Sequence, residues 1–119
     1  MHNLKKVILF FLFLFSSFQI SLAQSMDSSV VEQFMGLGIR QFELENYQDA
    51  DITFRKILNL RTFIPDELCY YYGNTLYQNR DYRLSQNFLQ KYLDLTDSTA
   101  EFRDTTLSLL GIVDQKIVE

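Results

Sequence analysis

Histidine, cysteine, proline and tryptophan are almost missing from this 119-residue chain. It contains one histidine, His2, one cysteine, Cys69, one proline, Pro65, and no tryptophan. A single cysteine excludes an internal disulfide. Beyond position 2 the chain also lacks the commonest general base and metal ligand. If the N-terminal segment that contains His2 is removed, Cys–His pairs, Ser–His–Asp triads and zinc sites built on histidine are therefore excluded.

Long apolar runs are equally scarce, and the longest lies close to the N-terminus. The nine residues Val7–Phe15 are all apolar, and two lysines precede them. Ser21 and Ala23 follow with the spacing of a cleavage site. A membrane-spanning helix needs roughly 20 apolar residues, which this run does not reach. We predict a secretory signal peptide at residues 1–23 and no stable membrane span after its removal, with an uncleaved anchor as the alternative.

Cleavage between Ala23 and Gln24 is the first testable prediction. A short apolar run followed by small residues at the third and first positions before the cut is what signal peptidase requires. The intact mass of the exported protein should therefore correspond to residues 24–119. A mass that still includes residues 1–23 would show that the segment is an anchor.

The charge of residues 24–119 is acidic. They carry nine basic against fifteen acidic side chains, a formal charge of −6. Such a chain is poorly matched to nucleic acid or to anionic lipid. The carboxylates form no acid–base pair, because Asp49 and Asp51 are two positions apart and cannot share one helix face. We predict a non-enzymatic protein without cofactor or metal, and without a nucleic-acid or small-molecule ligand.

Five helices are predicted from the spacing of apolar residues and from end signals. After a polar lead at residues 24–29, the first begins near Ser29, with Ser28 or Ser29 as its N-cap, and ends near Glu45. The second covers residues 48–60, and the third runs from Pro65, which suits a helix start, to residue 79. The fourth covers residues 82–95. The fifth starts near Ser98, where Glu101 completes a capping box, and runs nearly to the end of the sequence.

The helices repeat with a period of 35 residues. Shifting the chain by that number superimposes residues of the same kind: Gly38 on Gly73, Tyr47 on Tyr82, Ala50 on Ser85 and Phe54 on Leu89. A third copy begins at "LSLLGIV", where Leu107, Leu110 and Gly111 repeat Phe34, Leu37 and Gly38. A period of this size indicates stacked helical hairpins. The glycines are expected where two helices cross too closely for a β-carbon, opposite the small residues Ala50 and Ser85.

This pattern resembles the tetratricopeptide repeat. The resemblance covers about Val30 to the C-terminus, and it rests on the residues expected to pack the repeats together: Phe34, Leu37, Gly38, Tyr47, Ala50, Phe54, Gly73, Tyr82, Ser85, Leu89, Leu107, Leu110 and Gly111. It implies an all-α fold of stacked antiparallel hairpins in a right-handed superhelical solenoid. Repeat 1 would occupy residues 30–62, repeat 2 residues 63–97, and a C-terminal helix, either a partial third repeat or a cap, residues 98–119. The usual proline after the second helix of each repeat is replaced by Thr62 and Asp97.

The resemblance also implies a groove for a protein or peptide partner, lined by the first helix of each repeat. The residues that would line it are Met35, Ile39, Phe42, Tyr70, Asn74 and Tyr77. Tyr70, Asn74 and Tyr77 are four and three positions apart and so share one face. No lysine or arginine lies among the six, so capture of a partner's carboxylates is not expected. The alternative is that the tyrosines only fill the ends of a thin core.

We therefore predict an exported bacterial interaction module, resident in the periplasm or at the cell surface. The rival hypothesis is a structural subunit that associates with itself, as a homodimer, through its apolar C-terminal helix. A further alternative is that the chain is the N-terminal part of a longer repeat scaffold. Cys69 falls on the packing face of its helix and is expected to be a buried apolar side chain.

Overall fold

The computed structural model describes the backbone of residues 2–119 and the side chains of residues 3–12 and 28–119. All regular structure in the described part is α-helical, which confirms the predicted all-α class. The helices are α1 His2–Glu43, α2 Tyr47–Asn59, α3 Asp66–Gln78, α4 Tyr82–Leu95 and α5 Arg103–Val118. The chain divides into two units, residues 1–30 and residues 31–119, which are described separately.

The first unit is helical from His2 onward, and its side chains at residues 3–12 are exposed. The predicted cleavage site at Ser21 and Ala23 falls among residues 13–27, whose side chains lie outside the described part. Within the described part, no helix is both long enough and apolar enough to cross a membrane.

The predicted start of the first helix near Ser29 was wrong. The backbone is helical through residues 24–29, and neither Ser28 nor Ser29 is an N-cap. The segment contains neither proline nor glycine, and exposed serine lowers helix stability only slightly. Polar composition alone therefore does not end this helix.

The second unit begins with two hairpins whose turns match residue for residue. Glu45 and Arg80, 35 positions apart, both adopt positive φ, at 60° and 65°. The residues after them, Asn46 and Asp81, have almost the same φ and ψ, −90° and 71° against −89° and 74°. Backbone N–H groups of both turns donate to the carbonyls of the helix that has just ended, the pattern of a Schellman cap. The sequence repeat is thus also a repeat of backbone conformation.

Gly38 and Gly73 lie where the helices of each hairpin meet. A β-carbon at Gly38 would be 2.8 Å from Cδ1 of Phe54, and one at Gly73 would be 2.8 Å from Cγ of Leu89 and 3.2 Å from its backbone nitrogen. Phe54 and Leu89 are fully buried, so neither can move aside freely. Only glycine allows α1 and α2, or α3 and α4, to approach this closely.

Ser85 supplies the other half of the contact between α3 and α4. It is fully buried, and its hydroxyl donates to the Gly73 carbonyl at 2.6 Å. Tyr77 packs on Tyr82 next to the turn, with ring centroids 6.0 Å apart. Farther from the turn Tyr70 packs on Tyr92. These contacts run in opposite directions along the two helices, so α3 and α4 are antiparallel.

Two buried clusters fill the second unit. The first joins α1, α2 and α3: Val31, Met35, Ala50, Phe54, Ile57, Leu68, Tyr72 and Leu76. The second joins α3, α4 and α5: Cys69, Tyr70, Leu89, Tyr92, Leu109 and Val113. Because α3 supplies both clusters, it is the most completely buried helix of the unit. Cys69 is 3 % exposed, as a buried apolar side chain should be.

The fifth helix begins later than predicted. Helix α5 starts at Arg103, and the expected capping box of Ser98 and Glu101 does not form. Instead Asp97 accepts hydrogen bonds from the backbone N–H and the hydroxyl of Thr99, which holds residues 97–99 in a turn. Short polar side chains compete with helices in this way.

Three residues expected to pack the repeats are exposed: Leu37, Leu107 and Gly111. Tyr72, which corresponds to Leu37 by the 35-residue shift, is buried between Phe54 of α2 and Phe88 of α4. Among residues 2–119, no helix covers Leu37 in this way, and none covers Leu107 or Gly111 of α5.

Candidate functional site

The structure divides the six predicted groove residues into two groups. Met35, Tyr70 and Asn74 are buried, with 7 %, 7 % and 9 % of their surface exposed. Ile39, Phe42 and Tyr77 are half-buried. The prediction that all six line an open groove is therefore wrong for the first three, and only the other three offer substantial surface to a partner.

Packing within the second unit buries the first group. Met35 belongs to the cluster between α1, α2 and α3. The ring of Tyr70 stacks on Phe102, with centroids 4.2 Å apart and planes 19° from parallel. Phe102 precedes α5, and its backbone N–H donates to the Tyr92 hydroxyl at 3.1 Å. The connection between α4 and α5 therefore folds over Tyr70.

The side chain of Asn74 is only weakly held. Its amide nitrogen lies 3.4 Å from the Tyr70 hydroxyl, and its carbonyl oxygen lies 3.3 Å from Nε2 of Gln78. Both distances are at the long end of the hydrogen-bond range. The Asn74 amide therefore keeps unused hydrogen-bonding capacity.

An aromatic cluster joins α1, α3 and the segment before α5. Its central residue is Tyr71, whose ring meets Phe42 edge-on at 5.5 Å, Phe102 edge-on at 5.2 Å, and Tyr70 at 5.2 Å. The cluster consists of Phe42, Tyr47, Tyr70, Tyr71, Tyr92 and Phe102. Phe42, Tyr71 and Phe102 are each half-buried, so they present ring surface to solvent.

Carboxylates lie near enough to Tyr71 to affect its pKa. Burial raises the pKa of Tyr71, and the nearby Tyr70, Glu101, Glu43 and Glu67 raise it further. The negative charges therefore come from three separate segments, the end of α1, the start of α3 and the turn before α5. A cation placed over the Tyr71 ring would be attracted both by the aromatic ring and by the negative charge of the carboxylates.

A cleft of about 430 Å³ continues this surface beyond Phe102. It is lined by aromatic, acidic and small residues: Phe63, Pro65, Asp66, Glu67, Tyr92, Thr96, Ala100, Glu101 and Phe102. Phe63 is 85 % exposed and stands at its edge. Glu67, Glu101 and Phe102 belong both to the cleft and to the surroundings of Tyr71, so the two form one surface, which we call the aromatic-acidic face.

The described part also contains potential metal-ligating side chains and a thiol. Among these residues no three histidine, cysteine, aspartate or glutamate side chains converge on a point that could hold a metal. Burial raises the pKa of Cys69, while Lys91 opposes that change. The thiol is therefore largely protonated at neutral pH and a weak nucleophile.

The comparisons with known proteins identify no relative: no family model, no curated protein and no solved structure matches this chain.

Sequence reasoning missed half of the aromatic-acidic face. The predicted groove included Tyr70, which is buried, whereas the half-buried tyrosine at the centre is its neighbour Tyr71. Phe102, Glu67 and Glu101 were assigned to helix starts or not assigned at all. The available signal was Phe102, a large aromatic residue in an otherwise polar connection between helices.

Proposed function

We propose that this protein is an exported, non-enzymatic helical-repeat module of the tetratricopeptide type, which binds a basic segment of a partner protein on its aromatic-acidic face. In this proposal the hairpins stack in a right-handed solenoid, and the module works in the bacterial periplasm or at the cell surface. The observation that carries the proposal is the half-buried Tyr71 ring, which packs edge-on against Phe42 and Phe102 and whose pKa is raised by burial and by Tyr70, Glu101, Glu43 and Glu67.

The composition of this face favours a peptide over a metabolite. Aromatic rings with polar tips are enriched at sites that contribute most of the energy of protein interfaces. The rings of Phe42, Tyr71 and Phe102 and the cleft that reaches Phe63 form one continuous surface.

The charge of the face selects the partner. Lysine or arginine side chains can place a cation over an aromatic ring, and the surrounding carboxylates add attraction. Nucleic acid, whose phosphates are negative, would be repelled by the same carboxylates. We therefore expect short sequences that combine lysine or arginine with an aromatic or large apolar residue.

The experiment uses the chain expressed with its own leader and then purified. An array of synthetic random peptides identifies binders, and the affinity of the strongest is measured by fluorescence anisotropy. Replacing both Glu67 and Glu101 with lysine should weaken binding by about tenfold or more, equivalent to about 1.4 kcal/mol. Arrays enriched in acidic peptides would contradict the proposal.

A variant with the same change of net charge serves as the control. Glu32 and Asp94 are exposed and lie outside the aromatic-acidic face. Replacing both with lysine should leave the affinity within about twofold, because long-range attraction is screened at physiological ionic strength. Equal losses in the two double variants would mean that net charge alone drives binding.

A further inference from the structure

A second surface, on the outer side of α5, lies apart from the aromatic-acidic face. Five residues spaced three, four, three and four apart share one side of the helix. They are all exposed, and we call them the α5 edge: Asp104, Leu107, Gly111, Asp114 and Val118. Leu107 is 47 % exposed and Val118 is 83 % exposed. The opposite side of α5, with Leu109 and Val113, packs into the second buried cluster.

Two other glycine-containing helix faces of this chain, on α1 and α3, have the same pattern and are covered by a neighbouring helix. At Gly38 the neighbouring helix supplies Phe54, and at Gly73 it supplies Leu89. In both cases a small residue, Ala50 or Ser85, lies four positions earlier on that helix and is fully buried. Gly111, the third residue of this series, has no atom within 4 Å of the position that a β-carbon would take. The α5 edge thus has the pattern of the two covered helix faces, but no described helix packs against it.

At the first crossing, the residue three positions after the glycine indicates what chemistry would cover the edge. This residue is Gln41, which accepts a 2.6 Å hydrogen bond from the Thr53 hydroxyl of α2. Thr53 stands three positions after the small residue Ala50. At the α5 edge the corresponding residue is Asp114, a carboxylate, and one of its oxygens accepts a 2.7 Å bond from Gln86. Its remaining acceptor capacity suits a cationic donor.

We infer that the α5 edge is a binding site for an amphipathic helix of a partner protein. The helix would carry a small residue opposite Gly111, a lysine or arginine three positions later facing Asp114, and a large apolar residue at the fourth position. The second carboxylate of the edge, Asp104, favours a further basic residue on the same helix. Leu107 and Val118 would be covered on docking.

A second copy of this chain fits the edge less well. Pairing two α5 edges in parallel places Asp114 against Asp114 and Asp104 against Asp104. Pairing them antiparallel about Gly111 brings Asp114 of each copy onto Leu107 of the other. Either arrangement opposes like charges or buries a carboxylate on an apolar side chain, and both are unfavourable.

The test uses a synthetic peptide with the sequence of α4, Tyr82–Leu95, which fills the equivalent position on α3. Phe88→Lys in the peptide places a lysine three positions after Ser85, and Phe88→Glu gives a peptide of opposite charge at the same place. Binding to the whole protein is measured by fluorescence anisotropy. The lysine peptide should bind at least about tenfold more tightly than the glutamate peptide.

Gly111→Leu in the protein should weaken binding of the lysine peptide by about tenfold or more, because the added side chain prevents close approach. It should not impair folding, since the space around Gly111 is open, and thermal melting followed by circular dichroism checks this. Gly36→Leu is the matched control, as Gly36 is also helical, exposed and free of neighbours within 4 Å. It should leave the peptide affinity unchanged.

Three results would overturn the inference. Equal binding to wild type and Gly111→Leu would mean that the peptide displaces α4 or binds elsewhere. A lysine peptide that does not bind at about 1 mM would exclude the α5 edge as a helix-binding site. Light scattering that shows a dimer, abolished by Gly111→Leu, would assign the edge to a second copy. Replacing Glu67 and Glu101 with lysine should leave peptide binding at the α5 edge intact. Failure of the proposed function can therefore be distinguished from failure of this inference.

Discussion

Replacing Gly73 with leucine is expected to lower the free energy of unfolding by about 2–3 kcal/mol. The new β-carbon would lie 2.8 Å from Cγ of Leu89 and 3.2 Å from its backbone nitrogen. Leu89 could rotate its side chain at some expense, but its backbone can move only if the whole of α4 shifts. The shift would also lengthen the hydrogen bond from Ser85 to the Gly73 carbonyl. Urea denaturation, followed by circular dichroism, measures the change.

Gly36→Leu provides the comparison for the same substitution without crowding. The environment of Gly36 is open, and leucine has a higher helix propensity than glycine, so stability should rise by up to about 0.8 kcal/mol. The difference between the two variants isolates the effect of the close crossing from that of helix propensity. A Gly73→Leu protein with an unchanged urea midpoint would show that α3 and α4 are not in close contact there.

Replacing Val113 with aspartate is expected to unfold α5 from the rest of the second unit, with a loss of more than about 4 kcal/mol. Val113 is fully buried and packs with Leu109 and Tyr92. A carboxylate in this position would have to be ionised without a partner or protonated at a raised pKa, and both are unfavourable. The expected signature is a lower urea midpoint, with much of the destabilisation relieved at acid pH.

Ile112→Asp is the neighbouring control on the same helix. Ile112 is 44 % exposed, so an aspartate there stays solvated and should change stability by no more than about 0.5 kcal/mol. The two substitutions have similar helix propensities and the same charge, and they differ in the side of α5 that they occupy. Similar losses in both variants would mean that α5 is buried differently from the arrangement described here.

Much of the fold was accessible from the sequence because its contacts are repeated. Glycine in the middle of a helical pattern is unfavourable unless something requires it, and two of the three such glycines, Gly38 and Gly73, do lie at helix crossings. The same shift by 35 residues aligned Tyr47 with Tyr82, which lie at two turns of one conformation. Helix starts were less accessible. The polar segment 24–29 is helical, and Asp97 forms a turn where Ser98 was expected to cap α5.

The candidate site was less predictable than the fold, because repetition does not determine it. Tyr70 was expected to face a partner, since the corresponding position of the first helix is Met35 and both were assigned to a groove. Its burial depends on Phe102, which belongs to an irregular connection and has no counterpart in the repeat. The carboxylates around Tyr71 come from three separate segments, and only the folded chain brings them together.

The repeated hairpins also have a consequence for how the chain acquires its structure. Helices α2 to α5 contact mainly the helices next to them along the chain. Closing the short connections between them reduces chain entropy only a little. Proteins with such local contacts fold quickly, since no distant segments must find one another. The hairpin of α1 and α2 can therefore begin to assemble before α5 has joined the second unit.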